Sequence, residues 1–146
     1  SVSVEAALSG TGIRVYAVEK NPEAVSLICQ NRKKFRTDGI RIVSGKAPEA
    51  LEDLEAPTHV FIGGSSGNLK DILRTVLERS PKVRIVVNAI SLETVSEAME
   101  AAEEGLLRDA QITQIMASRS RKLGRYHMMT GQNPVYIISA GGRSDV

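Results

Sequence analysis

The chain has a single cysteine, Cys29, among its 146 residues. One cysteine excludes an intrachain disulfide and a cysteine-rich metal site, and it is typical of a protein in a reducing compartment. No group of potential metal-ligating residues has the spacing of a metal site, so no metal is predicted. We therefore expect a cytoplasmic protein.

Long apolar runs are also absent from the sequence. The longest runs are four residues, at positions 15–18 and 135–138, whereas a helix that crosses a bilayer needs about 20. The chain begins Ser-Val-Ser-Val, with neither an initiator methionine nor a signal-peptide pattern. We therefore expect a soluble chain, with no membrane partner, that starts inside a secondary-structure element.

Neither sign of charge is in large excess, because 19 basic and 17 acidic residues give a net charge of +2. This balance does not indicate a nucleic-acid-binding protein. The charges are clustered, however. Four basic residues fall within seven positions: Arg119, Arg121, Lys122 and Arg125. Five glutamates lie in one predicted helix: Glu93, Glu97, Glu100, Glu103 and Glu104. We predict that the acidic helix has a solvated face; the basic cluster is a candidate anion site, or else a solvated loop with incidental charge.

The composition is that of an ordinary globular domain, with 42% hydrophobic and 25% charged residues. The length suits one domain, and no linker is visible, so residues 1–146 are predicted to form a single domain. Helical patterns occupy residues 2–8, 21–38, 48–54, 68–77 and 91–105. Strand patterns occupy residues 14–18, 40–43, 59–62, 85–87, 112–116 and 135–138.

Helix and strand patterns alternate, and most strands are short apolar runs, as expected where both faces of a sheet are covered. The sequence therefore predicts an α/β fold with a doubly wound, mostly parallel sheet. The last two strands have only a long polar segment between them, so we expect an antiparallel hairpin at one edge. Asn68 is predicted to cap its helix, and four residues of the next helix are predicted to face inward: Leu92, Val95, Met99 and Ala102.

Ligands bind outside the carboxyl ends of the strands in such sheets. The predicted strand ends carry Glu19 and Lys20, residues 45–47, residues 63–65, and Asn88, and we expect them to gather in one pocket. A carboxylate at the position of Glu19 accepts hydrogen bonds from ribose hydroxyls in nucleotide-binding folds, although it can also be merely solvated.

The other candidate residues each have a bland interpretation beside the functional one. Gly63 and Gly64 allow a ligand to approach the backbone closely, or they simply make a tight turn. Asn88 either contacts a substrate or is a turn residue. His127 follows the basic cluster and is a substrate candidate or a surface residue. His59 and Cys29 are predicted to be structural. No phosphate-binding loop or nucleophile elbow is present, and no catalytic residue is assigned.

Four tracts of the sequence, taken in order, resemble one protein family. They are Val15-Tyr16-Ala17-Val18-Glu19-Lys20-Asn21, Gly45-Lys46-Ala47-Pro48-Glu49, residues 60–68 (Val-Phe-Ile-Gly-Gly-Ser-Ser-Gly-Asn), and Val86-Val87-Asn88-Ala89 with Leu92-Glu93-Thr94. The family is the decarboxylating precorrin-6Y C(5,15)-methyltransferases of cobalamin biosynthesis, in particular the subunit or domain that methylates carbon 15. The resemblance continues through residues 117–119 and 133–138.

The resemblance implies a Rossmann-like class I methyltransferase fold with S-adenosyl-L-methionine as cofactor. The family's first strand and Gly-x-Gly-x-Gly loop are not in the chain, so about 20 to 40 residues would precede it in an intact domain. The implied cofactor-binding residues are Ser1, Glu19, Lys20, Gly45, Lys46, Ala47, Gly63 and Gly64. Lys46 departs from the family, whose members commonly carry an acid near the adenine.

The resemblance also implies that the substrate is a precorrin tetrapyrrole, which is methylated at a meso carbon and loses carbon dioxide from a ring acetate. Because the cofactor brings its own leaving group, no protein nucleophile is needed. The implied substrate-binding residues are Ser65, Asn68, Asn88, Arg119, Arg121, Arg125 and His127, the arginines pairing with substrate carboxylates. A homotetramer is implied as well.

Two other functions remain open on the residues alone. A nicotinamide-dependent oxidoreductase would use the same acidic strand end, and the glycine spacing that would distinguish it lies upstream of this sequence. A binding-only or inactive fragment is the second alternative. Cofactor binding by this chain and by a longer one would separate these possibilities.

Overall fold

The computed structural model describes residues 2–141, so Ser1, a predicted cofactor-binding residue, lies outside the described range. The chain divides into two compact units, with the boundary between Glu55 and Ala56. We call them unit 1 and unit 2 and describe each separately. Within the described residues, no helix combines the length and the apolar character that a membrane crossing requires.

Unit 1 contains two helices, two strands and one short turn of 3₁₀ helix. In chain order these are α1 (Val2–Leu8), β1 (Val15–Glu19), α2 (Pro22–Lys34), β2 (Ile40–Ser44) and the 3₁₀ turn Glu49–Leu51. β1 and β2 are parallel, and their register runs from Val15 opposite Ile40 to Glu19 opposite Ser44. The small core consists of Val4, Ala17 and Ile40, with Ile28 of α2 packed against them.

Helix α2 begins as predicted but ends earlier. Asn21 Oδ1 accepts the backbone N–H groups of Glu23 and Ala24 at 2.9 and 3.5 Å, and Pro22 occupies the first helical turn. At the other end, Arg36 has a φ of 53°, and the N–H of Thr37 donates to the carbonyl of Arg32. This is a Schellman termination, which ends the helix before the predicted stop at Asp38 and Gly39.

The helix predicted over residues 48–54 is reduced to the 3₁₀ turn Glu49–Leu51. Its hydrogen bonds join residues three apart, from the N–H of Leu51 to the carbonyl of Pro48 and from the N–H of Leu54 to that of Leu51. The prediction of a helix here is therefore wrong in type and in length.

Unit 2 contains two helices, a four-stranded sheet and a separate two-stranded hairpin. Its elements are β3 (His59–Ile62), α3 (Leu69–Arg79), β4 (Arg84–Ala89), α4 (Leu92–Glu103), β5 (Gln111–Ile115), β6 (Ser118–Leu123), β7 (Tyr126–Gly131) and β8 (Val135–Gly141). The sheet order is β3-β4-β8-β5. β3 and β4 are parallel, and β8 is antiparallel to both β4 and β5. The predicted antiparallel pairing of the last two strand patterns is confirmed, with β5 at the edge.

Helix α3 buries the side that its sequence period predicts, whereas α4 does not. The buried residues of α3 are Leu69, Ile72, Leu73 and Val76. Those of α4 are Ala98 and Ala101, while Leu92 and Met99, predicted to face inward, are 73% and 43% exposed. Two small residues three apart allow close packing, and α4 also directs three glutamates toward α3, as described below. The predicted inward face of α4 is therefore wrong for these two residues.

The segment between β5 and β8, which the sequence shows only as a polar stretch, forms the antiparallel hairpin β6–β7. Its register runs from Ser118 opposite Gly131 to Leu123 opposite Tyr126. The backbone N–H of Gln132 donates to the carbonyl of Ala117 at 2.8 Å and closes the neck of the hairpin. All residues of β6 and β7 are exposed, so the predicted anion-binding cluster lies on an exposed element of its own.

Candidate functional site

The carboxyl ends of β1 and β2 are adjacent in unit 1. Glu19 lies opposite Ser44, and the backbone N–H of Gly45 donates to the backbone carbonyl of Glu19 at 3.0 Å. Parallel pairing therefore brings together the candidate cofactor residues that follow both strands, as expected for such a sheet. Lys20 and Lys46 are exposed at this edge, and Ala47 is half-buried.

The carboxylate of Glu19 is held by the backbone that follows it. Its Oε1 accepts the N–H of Asn21 at 2.9 Å, immediately before the first turn of α2. Asn21 in turn uses its side chain to cap α2. The half-buried Glu19 is thereby fixed at a strand end as an acceptor for hydroxyl groups, the geometry that suits a ribose.

Gly45 has a structural reason to be a glycine. A Cβ at this position would lie 2.9 Å from the Cβ of Ala50 in the 3₁₀ turn, which is too close for two carbon atoms. The glycine is therefore required by packing within unit 1, whether or not a ligand approaches it.

The carboxyl ends of β3 and β4 are adjacent in unit 2. Ile62 lies opposite Val87, which places Gly63 beside Asn88 at the edge of the sheet. A Cβ on Gly64 would meet nothing within 4 Å, whereas one on Gly63 would lie 3.1 Å from Cε1 of Phe61. Packing among the described residues therefore leaves space at Gly64. Asn88 is half-buried, and within residues 2–141 its side chain makes no hydrogen bond to another described residue.

A tight turn joins the glycines to α3. Ser66 and Gly67 have φ values of 52° and 78°, and the N–H of Asn68 donates to the carbonyl of Ser65 at 3.0 Å. Ser65 is 6% exposed, and its Oγ is buried without a hydrogen-bond partner among the described residues. Asn68 occupies the N-cap position, but its side chain does not cap the helix, so that prediction is wrong.

The cap of α3 comes instead from α4. Glu97 Oε1 accepts the backbone N–H groups of Leu69 and Lys70 at 2.9 and 3.4 Å. A carboxylate at this point satisfies helix N–H groups that otherwise lack partners and interacts favourably with the helix dipole. The sequence analysis missed this role of Glu97, because the contact joins two helices across 28 sequence positions.

Glu100, and Glu104 at the C-cap of α4, also bind α3 while their side chains stay 58% and 45% exposed, so the predicted solvated face holds for them, whereas the half-buried Glu97 departs from it. Lys70 Nζ lies 2.7 Å from Glu100 Oε2 and 2.8 Å from Glu104 Oε1. Hydrogen bonds to Glu100 and Glu104 raise the pKa of Lys70, and the hydrogen bond from Lys70 lowers the pKa of Glu104. These contacts hold α3 against α4 directly after the turn formed by residues 63–68, which we call the glycine turn.

The hairpin separates the predicted substrate-binding residues that it carries. Arg119 and Arg121 are two positions apart on β6 and share one face, whereas His127 lies opposite Lys122 on the other face. Arg125, in the turn, donates from Nη2 to the hydroxyl of Tyr126 at 2.8 Å, and its guanidinium lies 5.1 Å from the centre of that ring. Only Arg119 and Arg121 therefore form a pair on one face.

Sequence comparisons identify similar proteins over nearly the whole chain. A family model for the precorrin methyltransferase domain matches residues 1–141. The probable cobalt-precorrin-6B C(15)-methyltransferase (decarboxylating) of Pyrobaculum calidifontis is 45% identical over 142 residues, which cover 96% of this chain and 72% of that protein. A relative of the same description from Methanothermobacter thermautotrophicus is 40% identical over 136 residues, covering 92% of this chain and 70% of that protein.

Solved structures agree with these relatives. The precorrin-6Y C5,15-methyltransferase from Geobacter metallireducens has a TM-score of 0.87 and 37% identity, covering 97% of this chain and 75% of that one. A SAM-dependent O-methyltransferase from Thermotoga maritima has a TM-score of 0.66 at 12% identity, covering 94% of this chain and 53% of that one, and shares the fold alone. The predicted Rossmann-like α/β class is confirmed.

Proposed function

The chain belongs to the precorrin methyltransferase family, and from that membership we propose that it methylates carbon 15 of a precorrin tetrapyrrole with S-adenosyl-L-methionine, with decarboxylation, in cobalamin biosynthesis. The observation that carries the proposal is the likeness, over nearly the whole chain, to decarboxylating C(15)-methyltransferases. A nicotinamide-dependent oxidoreductase, the alternative from the sequence, is not favoured by these relatives.

The residues at the strand ends of unit 1 fit part of this cofactor. Glu19 is fixed by the N–H of Asn21 and can accept hydrogen bonds from both ribose hydroxyls. The backbone of residues 45–47 follows the neighbouring strand; because the N–H of Gly45 already donates to the carbonyl of Glu19, the adenine is proposed to lie against the backbone of Ala47. Lys46 cannot replace the acid that the family commonly has there, so we expect no side-chain contact from this position to the adenine amino group. Lys20 belongs to the same proposed surface.

The strand ends of unit 2 supply space and polar groups. The open position above Gly64 would accommodate a bulky ligand beside Gly63, and Asn88 presents an amide at the same edge. Ser65 and Asn68 complete the proposed substrate-binding set on this loop. That the ends of all four strands contribute to one pocket stays a prediction.

The chemistry requires orientation rather than a protein nucleophile. S-adenosyl-L-methionine, when bound, supplies an electrophilic methyl group and its own leaving group. The task of this chain is then to hold the acceptor carbon in line with that methyl group and to exclude water. The exposed basic residues Arg119, Arg121 and Arg125 are proposed to pair with substrate carboxylates. His127 lies on the other hairpin face, so its contact with the substrate stays a prediction.

A transfer assay tests the proposal directly. The protein is incubated with S-adenosyl-L-methionine labelled in its methyl group and with the precorrin, and both methyl incorporation and carbon dioxide release are followed. We expect both products, and we expect S-adenosylhomocysteine to bind in calorimetric titration while NADH does not. Absence of both methyl transfer and S-adenosylhomocysteine binding would support the binding-only or inactive alternative instead.

Self-association and a cytoplasmic location are part of the same proposal. Large apolar side chains are exposed throughout residues 111–134, where a homotetramer would have contact surface available. They are Ile112, Ile115, Met116, Leu123, Tyr126, Met128 and Met129.

A further inference from the structure

A cleft of about 350 Å³ lies at the neck of the hairpin in unit 2. It is lined by Ile115, Ala117, Arg119, Gln132, Asn133 and Val135. The volume is at the lower end of the range for small-molecule sites, which suits one peripheral group of a larger ligand. Of the four clustered basic residues, only Arg119 lines it.

The cleft and the glycine turn lie at the same end of the strands, the end at which β3, β4 and β5 finish and β8 begins. Ile115, the last residue of β5, pairs with Val135, the first of β8, and the next residue of β8, Tyr136, pairs with Ala89 at the end of β4. The end of β4 in turn adjoins the end of β3. Neighbouring strands are about 4.8 Å apart, so β3 and β5 are separated by roughly 14 Å. One flat ligand along this edge can reach both the glycines and the cleft.

The side chains that line the cleft are suited to bind a carboxylate group of a ligand. Arg119 has no ion pair within the described part of the chain, and the side-chain amides of Gln132 and Asn133 make no hydrogen bonds there. No acidic residue occurs between Asp109 and Asp145, so no acid nearby in the sequence competes for the guanidinium. Charge-assisted hydrogen bonds from a guanidinium to a carboxylate are among the strongest that a protein makes to a ligand.

We propose that this cleft binds one peripheral carboxylate of the tetrapyrrole acceptor. Arg119 pairs with the carboxylate, Gln132 and Asn133 donate hydrogen bonds to it, and Ile115 and Val135 contact the apolar edge of the ring. The inference rests on the proposed function and adds to it a fixed contact that orients the macrocycle along the sheet edge.

The test uses uroporphyrin, a stable tetrapyrrole with acetate and propionate side chains, titrated into the full chain while its fluorescence is recorded. Arg119→Ala is expected to weaken binding about tenfold, the loss of a hydrogen-bonded charge pair, and Arg119→Lys is expected to restore part of it. For the same porphyrin with its carboxylates converted to primary amides, wild type and Arg119→Ala should bind equally.

Arg108→Ala is the matched control. Arg108 is an exposed arginine whose carbonyl accepts the N–H of Gly141, at the opposite end of β8, away from the cleft. Its removal changes the net charge by the same amount and should leave uroporphyrin affinity unchanged. Thermal unfolding of each variant confirms that the fold is retained, and Arg119→Gln serves if the alanine variant does not fold.

The outcomes separate this inference from the proposed function. If wild type does not bind uroporphyrin, or if Arg119→Ala and Arg119→Gln bind it as tightly as wild type does, the cleft is not a carboxylate site. An equal loss in Arg108→Ala would show an effect of net charge only and would also overturn the proposal. Either result leaves the proposed function standing if wild type transfers methyl groups, whereas failure of transfer and of S-adenosylhomocysteine binding overturns the proposed function itself.

Discussion

The backbone of Asn21 and its side chain have separate roles at the end of β1. The side chain caps α2, and the N–H orients the carboxylate of Glu19. The orientation of Glu19 therefore depends on the start of the helix rather than on another long side chain, so little conformational entropy remains to be lost when a ligand binds.

We expect Glu19→Gln to weaken S-adenosylhomocysteine binding about tenfold, because hydrogen bonds from hydroxyls to a carboxylate are stronger than those to an amide. Isothermal titration calorimetry measures the change. Glu23→Gln is the control, since Glu23 is exposed in the first turn of α2 and removes the same charge. Equal affinities for wild type and Glu19→Gln would contradict the assignment of Glu19 to the cofactor.

Gly64→Ala should impair ligand binding without destabilising the fold. The added Cβ meets no atom of residues 2–141 within 4 Å, and Gly64 is not among the glycines of that range with positive φ. We expect the Michaelis constant for S-adenosyl-L-methionine to rise about tenfold, because the methyl group occupies space proposed for the cofactor. Gly39→Ala is the control, since its Cβ also meets nothing within 4 Å in an exposed turn. Steady-state kinetics showing the same Michaelis constant in both variants would argue against a ligand at Gly64.

At the scale of elements, α3 depends on α4 for its first turn. The glycine turn delivers the chain to α3 without a side-chain cap from Asn68, and Glu97 supplies the missing acceptor. The position of the turn is therefore coupled to the packing of two helices, which are also joined through Lys70.

Removal of the Glu97 carboxylate should lower the free energy of unfolding by about 1 kcal/mol, the usual effect of deleting a helix cap. Urea unfolding of Glu97→Ala measures it, and Glu97→Gln should recover part of the loss because the amide oxygen still accepts. Glu103→Ala, an exposed position on the same helix, is the control. If Glu97→Ala is no less stable than Glu103→Ala, the cap makes no net contribution.

The contacts of Lys70 predict a pH dependence of stability. Glu104 has a folded-state pKa below its ordinary value of 4.5. Its contribution to the free energy of unfolding is therefore present above pH 4.5 and is lost as the pH falls through the lower folded-state pKa. Lys70 has a folded-state pKa above its ordinary value of 10.5. Its contribution to the free energy of unfolding is therefore present below pH 10.5 and is lost as the pH rises through the higher folded-state pKa. The effect is small, because the Glu104 side chain is 45% exposed.

We therefore expect wild type to melt slightly above Glu104→Gln at about pH 7, and the difference to shrink as the pH falls through the lowered folded-state pKa of Glu104 and to vanish once that carboxyl is protonated. Differential scanning calorimetry across this range gives both melting temperatures. Glu93→Gln on α4 provides a control for the general effect of a lost negative charge. A difference between wild type and Glu104→Gln that persists at low pH would show that the ion pair is not its source.

Helix α2 could be predicted from its local cap, and helix α3 from the helical spacing of its buried apolar residues. Within each unit, the adjacency of the candidate residues at the strand ends could also be predicted, because parallel pairing places successive carboxyl ends side by side. The hairpin could not be predicted, because both faces of β6 and β7 are exposed and show no apolar alternation. The glycine at position 124, within a short tight connection, was the one local signal for it. The Glu97 cap could not be predicted either, because its partners lie on another helix.

At the scale of the whole molecule, the stability of the hairpin is not accounted for by contacts among the described residues of one chain. A two-stranded hairpin alone is marginally stable in water. β6 and β7 pair with each other, and both their faces are exposed. Leu123, Tyr126 and Met128 share one of those faces. Contact with a second copy of the chain would cover these side chains.

Light scattering after size-exclusion chromatography should therefore give a mass several times the 15.8 kDa of one chain. The double variant Leu123→Ser, Met128→Ser should shift the mass toward a single chain, because it removes apolar contact area from one hairpin face. Leu27→Ser, at a position 57% exposed on α2, is the control and should leave the mass unchanged. A wild-type mass of one chain would contradict self-association.

The position of β8 between β4 and β5 has a consequence for folding during synthesis. β4 pairs with β8 across a stretch that includes α4, β5 and the hairpin, so the sheet of unit 2 closes only through contacts distant in sequence. Such closure is slow compared with local helix formation. As the polypeptide leaves the ribosome, one edge of β4 has unpaired backbone N–H and C=O groups until residues 135–141 arrive, and chains interrupted before that point are expected to aggregate through this edge.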